Sequence, residues 1–207
     1  MDKKILYDKK YEQIHLQPSL YFPKQFKYIE KNYCKSLKSK VLDLGGGTGE
    51  YSLLLQGMSY DITLFDFSME AIKRAKSIGV KKTICNDFLS YDFEDESFDI
   101  ILVKGFSLLN TDNEHTFLAM IQQMKAILNS EGIIIYMGES NLSASWSESA
   151  WYQLGQTEIK KYFDSYLLLP AFRYQLILPL FFNQWITRVL MNFKSLPRSI
   201  SLVGIIK

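Results

Sequence analysis

The segment VLDLGGGTGEY, beginning at Val41, gathers the residues best placed to do chemistry. Asp43 closes an apolar run and is followed by Gly45, Gly46, Gly47 and Gly49, four glycines in five positions. Glycine loses more backbone freedom on folding than any other residue, so this density calls for a reason. A tight turn is one reason, and the approach of a ligand to bare backbone is another. In an open α/β sheet, ligands sit outside the carboxyl ends of the strands. A glycine turn there leads into a helix whose first amides are free, which is the arrangement of a nucleotide-type site. The spacing is D-x-G-x-G-x-G. A dinucleotide fingerprint, G-x-G-x-x-G, needs its third glycine where Glu50 stands, and Glu50 would repel a pyrophosphate. No G-K-[ST] follows, so a phosphate-cradling P-loop is excluded as well.

Short β-rich runs alternate with helical patterns around this loop. Residues 40–45 (KVLDLG) read as a strand, and a helix starts from Tyr51 to Gln56. Residues 61–66 read as a second strand, followed by a helix over 68–79 with Ser68 at its N-cap and Gly79 at its stop. Residues 81–87 suit a short strand, and the apolar run 98–105 suits one buried on both faces. Phe117, Met120, Ile121, Met124, Ile127 and Leu128 recur at helical spacing, which predicts an amphipathic helix over 114–132 before a strand at 132–139. A helix over 157–163 and a last strand over 199–207 complete the pattern, while residues 1–39 look mostly helical. Strand–helix alternation predicts an α/β fold with a mostly parallel sheet covered on both faces.

The 207 residues, 47% hydrophobic and 22% charged, suffice for one domain with a substantial core. Cys34 and Cys85 have neither pair spacing nor neighbouring ligands, so a zinc site is not expected. The N-terminus has no apolar signal-type region, and residues 166–189 are too interrupted by Arg173, Pro170 and Pro179 for a membrane span. A cytoplasmic location is the expectation, with peripheral membrane contact left open. The net charge of +2 conceals +6 over residues 1–40, −9 over 41–160 and +5 over 161–207. Basic flanks could favour an anionic partner, or be no more than solvated helix surface.

The ordered motifs resemble the class I S-adenosylmethionine-dependent methyltransferases, from about Lys40 to Glu139. The D-x-G-x-G-x-G loop is similar to that family's first motif, LFDFSMEAIKRAK to its second and CNDF (85–88) to its third. FDIILVKG and KAILNSEGIIIY are similar to the fourth strand and the helix–turn–strand that follows. The resemblance implies a three-layer Rossmann-like sandwich of about seven strands, the last antiparallel, with an N-terminal helical cap. It implies one domain over 1–207: a cap over 1–39, a cofactor-binding core over 40–139 and an acceptor-side segment over 140–207.

The cofactor so implied is S-adenosyl-L-methionine, with S-adenosyl-L-homocysteine as product. Asp66, 23 residues after Asp43, would accept both hydrogens of the ribose diol; the alternative is an ordinary acid near a helix N-terminus. Asp87 would accept from the adenine amino group, with Phe88 flanking the ring and Phe67 on its other face, unless these are a loop acid and core aromatics. Asp43 would order the loop, with Gly45, Gly46, Gly47 and Gly49 forming it, or meet the methionine amino group. Lys104 ends the fourth strand, where the family's backbone meets the methionine part; a simple strand-end charge is the alternative.

No catalytic constellation is evident. A methyl on a sulfonium is already activated, so alignment and exclusion of water can suffice. His115 reads as helix-start decoration rather than a base, and His15 lies among Tyr7, Tyr11 and Tyr21. The stretch VKGFSLLN lacks the N/D-P-P-[YF] signature of amide and adenine N-methyltransferases. Nucleic acid is therefore an unlikely partner, and a small-molecule or lipid-like acceptor is expected, met by the aromatic segment 163–193 with Trp146, Trp151 and Tyr152. A non-catalytic cofactor-binding module and an RNA methyltransferase remain the alternatives, and either a monomer or a homodimer fits. A ligand that binds only the native state raises its melting temperature. In a panel of S-adenosylmethionine, S-adenosylhomocysteine, NAD and ATP, the first two alone should raise it; a shift with NAD or ATP instead would refute this reading.

Overall fold

The computed structural model describes residues 22–34, 40–140, 152–170 and 200–207. In chain order these form α1 (Phe22–Tyr33), β1 (Lys40–Leu44), α2 (Glu50–Gly57), β2 (Asp61–Asp66), α3 (Met69–Ser77) and β3 (Thr83–Cys85). Then come β4 (Phe98–Lys104), a 3-10 turn (Ser107–Leu109), α4 (Glu114–Ala126), β5 (Leu128–Ser140), α5 (Gln156–Tyr162), β6 (Ser165–Pro170) and β7 (Ile200–Ile206). The seven strands make one sheet in the order β3-β2-β1-β4-β5-β7-β6. β7 runs antiparallel to both β5 and β6, and the other pairs are parallel. The order reverses between β1 and β4, so a crevice opens outside their carboxyl ends.

Period-two alternation divides the central strands between two apolar layers. Leu42, Leu44, Ile101, Val103 and Ile134 pack with Phe117, Met124 and Ile159 from α4 and α5. Val41, Ile100, Leu102, Ile133 and Ile135 pack with Phe22, Phe26 and Ile29 of α1 and Leu55 of α2. Helix α1 is further tied down by the Tyr60 hydroxyl, which donates to Glu30, and by the Tyr60 ring set edge-on to Phe26.

Several element ends differ from the sequence expectation. Helix α4 stops at Ala126 rather than at 132, and β5 begins at Leu128. Tertiary bonds draw the chain out of the helix. Phe98 N donates to Ile127 O at 2.9 Å. The Asn129 side chain bridges Ser97 at 2.6 Å and Asp99 at 2.8 Å. Helical periodicity continues past that point in the sequence but cannot compete with a strand edge seeking partners. β3 is confined to Thr83–Cys85, and β6 is a strand that periodicity did not single out. Ser68 caps α3 by accepting from Ala71 N at 3.2 Å, and Gly79 takes φ +105° just past its end, as expected. The remainder of the aromatic segment (171–193), Trp146, Trp151, His15, Tyr7, Tyr11 and Tyr21 lie outside the described residues.

Gly204 sits in the middle of β7, opposite Tyr136 and Tyr166, and a Cβ there would lie 2.3 Å from the Phe163 ring. Gly204→Ala should therefore destabilise the protein by about 1–3 kcal/mol through overpacking. Adding Phe163→Leu should recover much of that loss in a denaturant titration; additive losses would refute the contact.

Candidate functional site

The glycine turn leaves β1 and is gripped by the end of β2. Gly45 N and Gly46 N both donate to Phe65 O, at 2.8 and 3.3 Å. Gly47 N donates to Asp66 Oδ2 at 2.9 Å, and Ser68 N donates to Asp66 Oδ1 at 2.9 Å. One carboxylate thus joins the glycine loop to the start of α3. Gly45, Gly47 and Gly49 take φ of +72°, +56° and +86°, conformations that a side chain disfavours. At Gly46 the constraint is space, because a Cβ would stand 2.8 Å from Asp43 Oδ2. At Gly49 it would meet Ala75 of α3 at 2.7 Å, so this glycine also lets two helices approach.

Asp43 lies beneath the loop, 2% exposed, and accepts from Ser52 Oγ at 2.6 Å. Burial pushes its carboxyl up to about 6 from the ordinary 3.8. The Ser52 hydrogen bond and the Lys104 charge pull it down, and the carboxylates of Asp66 and Glu50 push it up. Lys104 is exposed at the end of β4, with Nζ 4.6 Å from the centroid of Tyr51, the second residue of α2. Among the described residues, the floor of the crevice is therefore acidic, with Lys104 at its margin.

The sequence candidates fall around this floor. Asp66 is 2% exposed at the carboxyl end of β2, next to the half-buried Phe67. Asp87 lies past β3 on an exposed turn, where Oδ1 accepts from Leu89 N at 3.0 Å. Phe88 turns inward and is 7% exposed, edge-on to Phe65 at 6.2 Å and to Phe106 at 6.1 Å. The structure thus brings Asp43, Asp66, Lys104 and the four glycines to one edge of the sheet. Phe88 backs that edge from within the core. His115 stands on the first turn of α4.

Two residues escaped the sequence reading. Ser52 is wholly buried, and its signal was a small polar residue directly before the apolar run 53–55. Phe106 follows Gly105 after β4 and presses on Gly45, where a Cβ would come 2.6 Å from Phe106 Cδ2. No local pattern marks it, because its partner is 61 positions away in another strand's turn. On the far side of the crevice, Asn110 Oδ1 accepts from Tyr152 N at 2.5 Å, and Tyr152 Oη donates to Glu158 at 2.6 Å. These bonds draw the segment after β5 back towards the end of β4.

Residues 35–167 match a protein-family model described as a methyltransferase domain. The chain belongs to that methyltransferase-domain family. Solved structures share the fold of this methyltransferase domain. A SAM-dependent methyltransferase from Thiobacillus denitrificans, in complex with S-adenosyl-L-homocysteine, superposes with a TM-score of 0.58 at 16% identity over 100% of this chain and 98% of that one. The plantazolicin methyltransferase BpumL, in complex with SAH, gives 0.59 at 18% identity, over 99% of this chain and 90% of the other. The CcbJ methyltransferase from Streptomyces caelestis gives 0.58 at 12% identity over 71% of this chain, which spans 62% of the CcbJ chain. At such identities the likeness is one of fold, and the Rossmann-like architecture read from the sequence is the one observed. No curated protein sequence matches the chain.

The raised value at Asp43 has a consequence for stability. Its folded value exceeds its unfolded one, so its contribution to stability is fully present below about pH 4 and is lost as pH rises through 6. The loss amounts to at most about 3 kcal/mol. Asp43→Asn keeps an acceptor for Ser52 but cannot ionise. Relative to the parent, this variant should gain stability between pH 4.5 and pH 7.5 in urea titrations of the ligand-free protein; parallel pH profiles would refute the assignment.

Proposed function

We propose that this protein is an S-adenosylmethionine-dependent methyltransferase acting on a small-molecule or lipid-like acceptor. The observation that carries the reading is the acid-floored glycine loop at the point where the sheet order reverses. Asp43, Glu50 and Asp66 disfavour a phosphate there and suit a nucleoside whose tail is cationic. The cofactor supplies a methyl group whose bond to a positively charged sulfur is already primed to break.

In this reading each residue binds or orients. Asp66 holds the loop through both of its oxygens and, at the carboxyl end of β2, would accept from the ribose hydroxyls. Asp87 takes the adenine amino group, and Phe67 and Phe88 bound the adenine site. Asp43 and Ser52 hold the loop in shape beneath the ligand. Lys104, exposed at the margin, offers its charge to a ligand carboxylate. For methyl transfer the protein's own part would be to align an acceptor with that methyl group and to exclude water.

The small-molecule assignment is supported by VKGFSLLN after β4, which lacks the N/D-P-P-[YF] signature of amide and adenine methylation. Among the described residues no helix is long and apolar enough to cross a membrane. We place the protein in the cytoplasm as a monomer or homodimer.

Calorimetry with S-adenosylhomocysteine tests the site. Asp66→Asn should weaken binding about 5- to 150-fold, the roughly 1–3 kcal/mol of a hydrogen bond to a charged group. Unchanged affinity would remove Asp66 from the ribose site. Binding without release of labelled methyl to any candidate acceptor would favour a non-catalytic module.

A further inference from the structure

Three neighbouring strands meet the crevice in spatial order. Asp66 ends β2, Gly45 follows β1, and Phe106 lies two residues past the end of β4. In the cofactor reading, a ligand running from the nucleoside end at Asp66 along the carboxyl ends of these strands would pass Phe106. The ring is well held there. It rests on Gly45, so closely that any side chain at that position would collide with it. It also stands at 85° to Phe88, whose other neighbours are Phe65 and Phe93. Yet Phe106 is only half-buried, so part of the residue stays within reach of solvent. Gly105, at φ +64° with open space where a Cβ would stand, lets the backbone turn the ring inward.

Among the described residues, the charges at this edge of the sheet are mostly acidic. Asp43 and Asp66 are buried in the neighbouring strands β1 and β2, and Glu50 starts the helix that follows the glycine turn. Lys104, the cation at the margin, is set over the ring of Tyr51. An aromatic face is electron-rich and attracts a cation within about 6 Å of its centre, more strongly where water is excluded.

We propose that Phe106 is a specificity-determining wall that recognises the positive charge on the methyl donor's sulfur. The proposal rests on the cofactor reading above. It predicts a preference for the charged donor over the neutral thioether product, because transfer of the methyl removes the charge that the ring attracts. Binding would then weaken at the moment the product must leave.

The test is a pair of calorimetric titrations, with S-adenosylmethionine and with S-adenosylhomocysteine, on the parent protein and on Phe106→Leu. Leucine keeps an apolar side chain over Gly45 and removes the π face. The donor's affinity should fall about 3- to 30-fold, while the product's changes by less than about twofold. Phe106→Tyr should restore the parent ratio. Equal losses for both ligands would overturn the proposal and leave Phe106 as a space-filling contact. Equal gains would overturn it in favour of a ring that blocks the crevice. If the parent protein binds the product but Phe106→Leu leaves the donor-to-product ratio unchanged, the wall fails and the cofactor reading stands. If the parent protein binds neither ligand, both fail.

Discussion

The site depends on one carboxylate. Asp66 is almost wholly withdrawn from water, and each of its oxygens is met by a backbone amide, that of Gly47 on one side and of Ser68 on the other. A buried carboxylate without such donors would be costly, and charge-assisted bonds to amides are what make it tolerable. Because Gly47 belongs to the loop after β1 and Ser68 caps α3, the same group sets the loop's height over the sheet and the position of the next helix. The two amides donated to Phe65 O complete this grip, so the last two residues of β2 hold the whole glycine turn.

Asp43 places a second acid under the same loop, with a different balance. It accepts from the hydroxyl of Ser52, and burial outweighs that bond and the nearby Lys104 charge. The outcome is a carboxyl that burial pushes above the ordinary carboxylate range, beside one whose two oxygens hold backbone amides. A cation arriving over the loop would favour the ionised form of Asp43, by the same electrostatics through which Lys104 already does. The acidic floor therefore has a direction: it disfavours phosphates and suits a positively charged ligand.

The rest of the fold keeps these groups in register. Parallel pairing sets Asp43 beside Leu64 of β2 and Leu102 of β4, so the acid sits in the sheet's own lattice rather than on a loose turn. The two apolar layers on either face make that lattice rigid. β7 inserts antiparallel between β5 and β6, and its Gly204 gives room to Phe163 against the sheet. Across the crevice, the bonds of Asn110 and Glu158 to Tyr152 fasten the opposite wall.

Much of this was legible in the sequence. The strand–helix alternation, the glycine spacing that excludes a dinucleotide, the Ser68 cap and the strand-end acids are local or periodic signals, and local signals survive whatever the chain packs against. The candidate residues on β1, β2 and β4 came together because parallel strands bring their carboxyl ends to one edge. What the sequence could not convey was decided by contacts between distant segments. Helix α4 stopped early because Phe98, Ser97 and Asp99 bound the turn that followed it. Phe88 turned into the core because other aromatic rings were waiting there. Phe106 reached Gly45 because β1 and β4 are neighbours in the sheet and not in the chain. The chain's own pattern determined most of the central strands and helices and set Asp43, Asp66 and Lys104 at or near strand ends, though not where α4 gives way to β5. Only the tertiary structure decided which way those residues face, because direction is set by the partners that packing supplies.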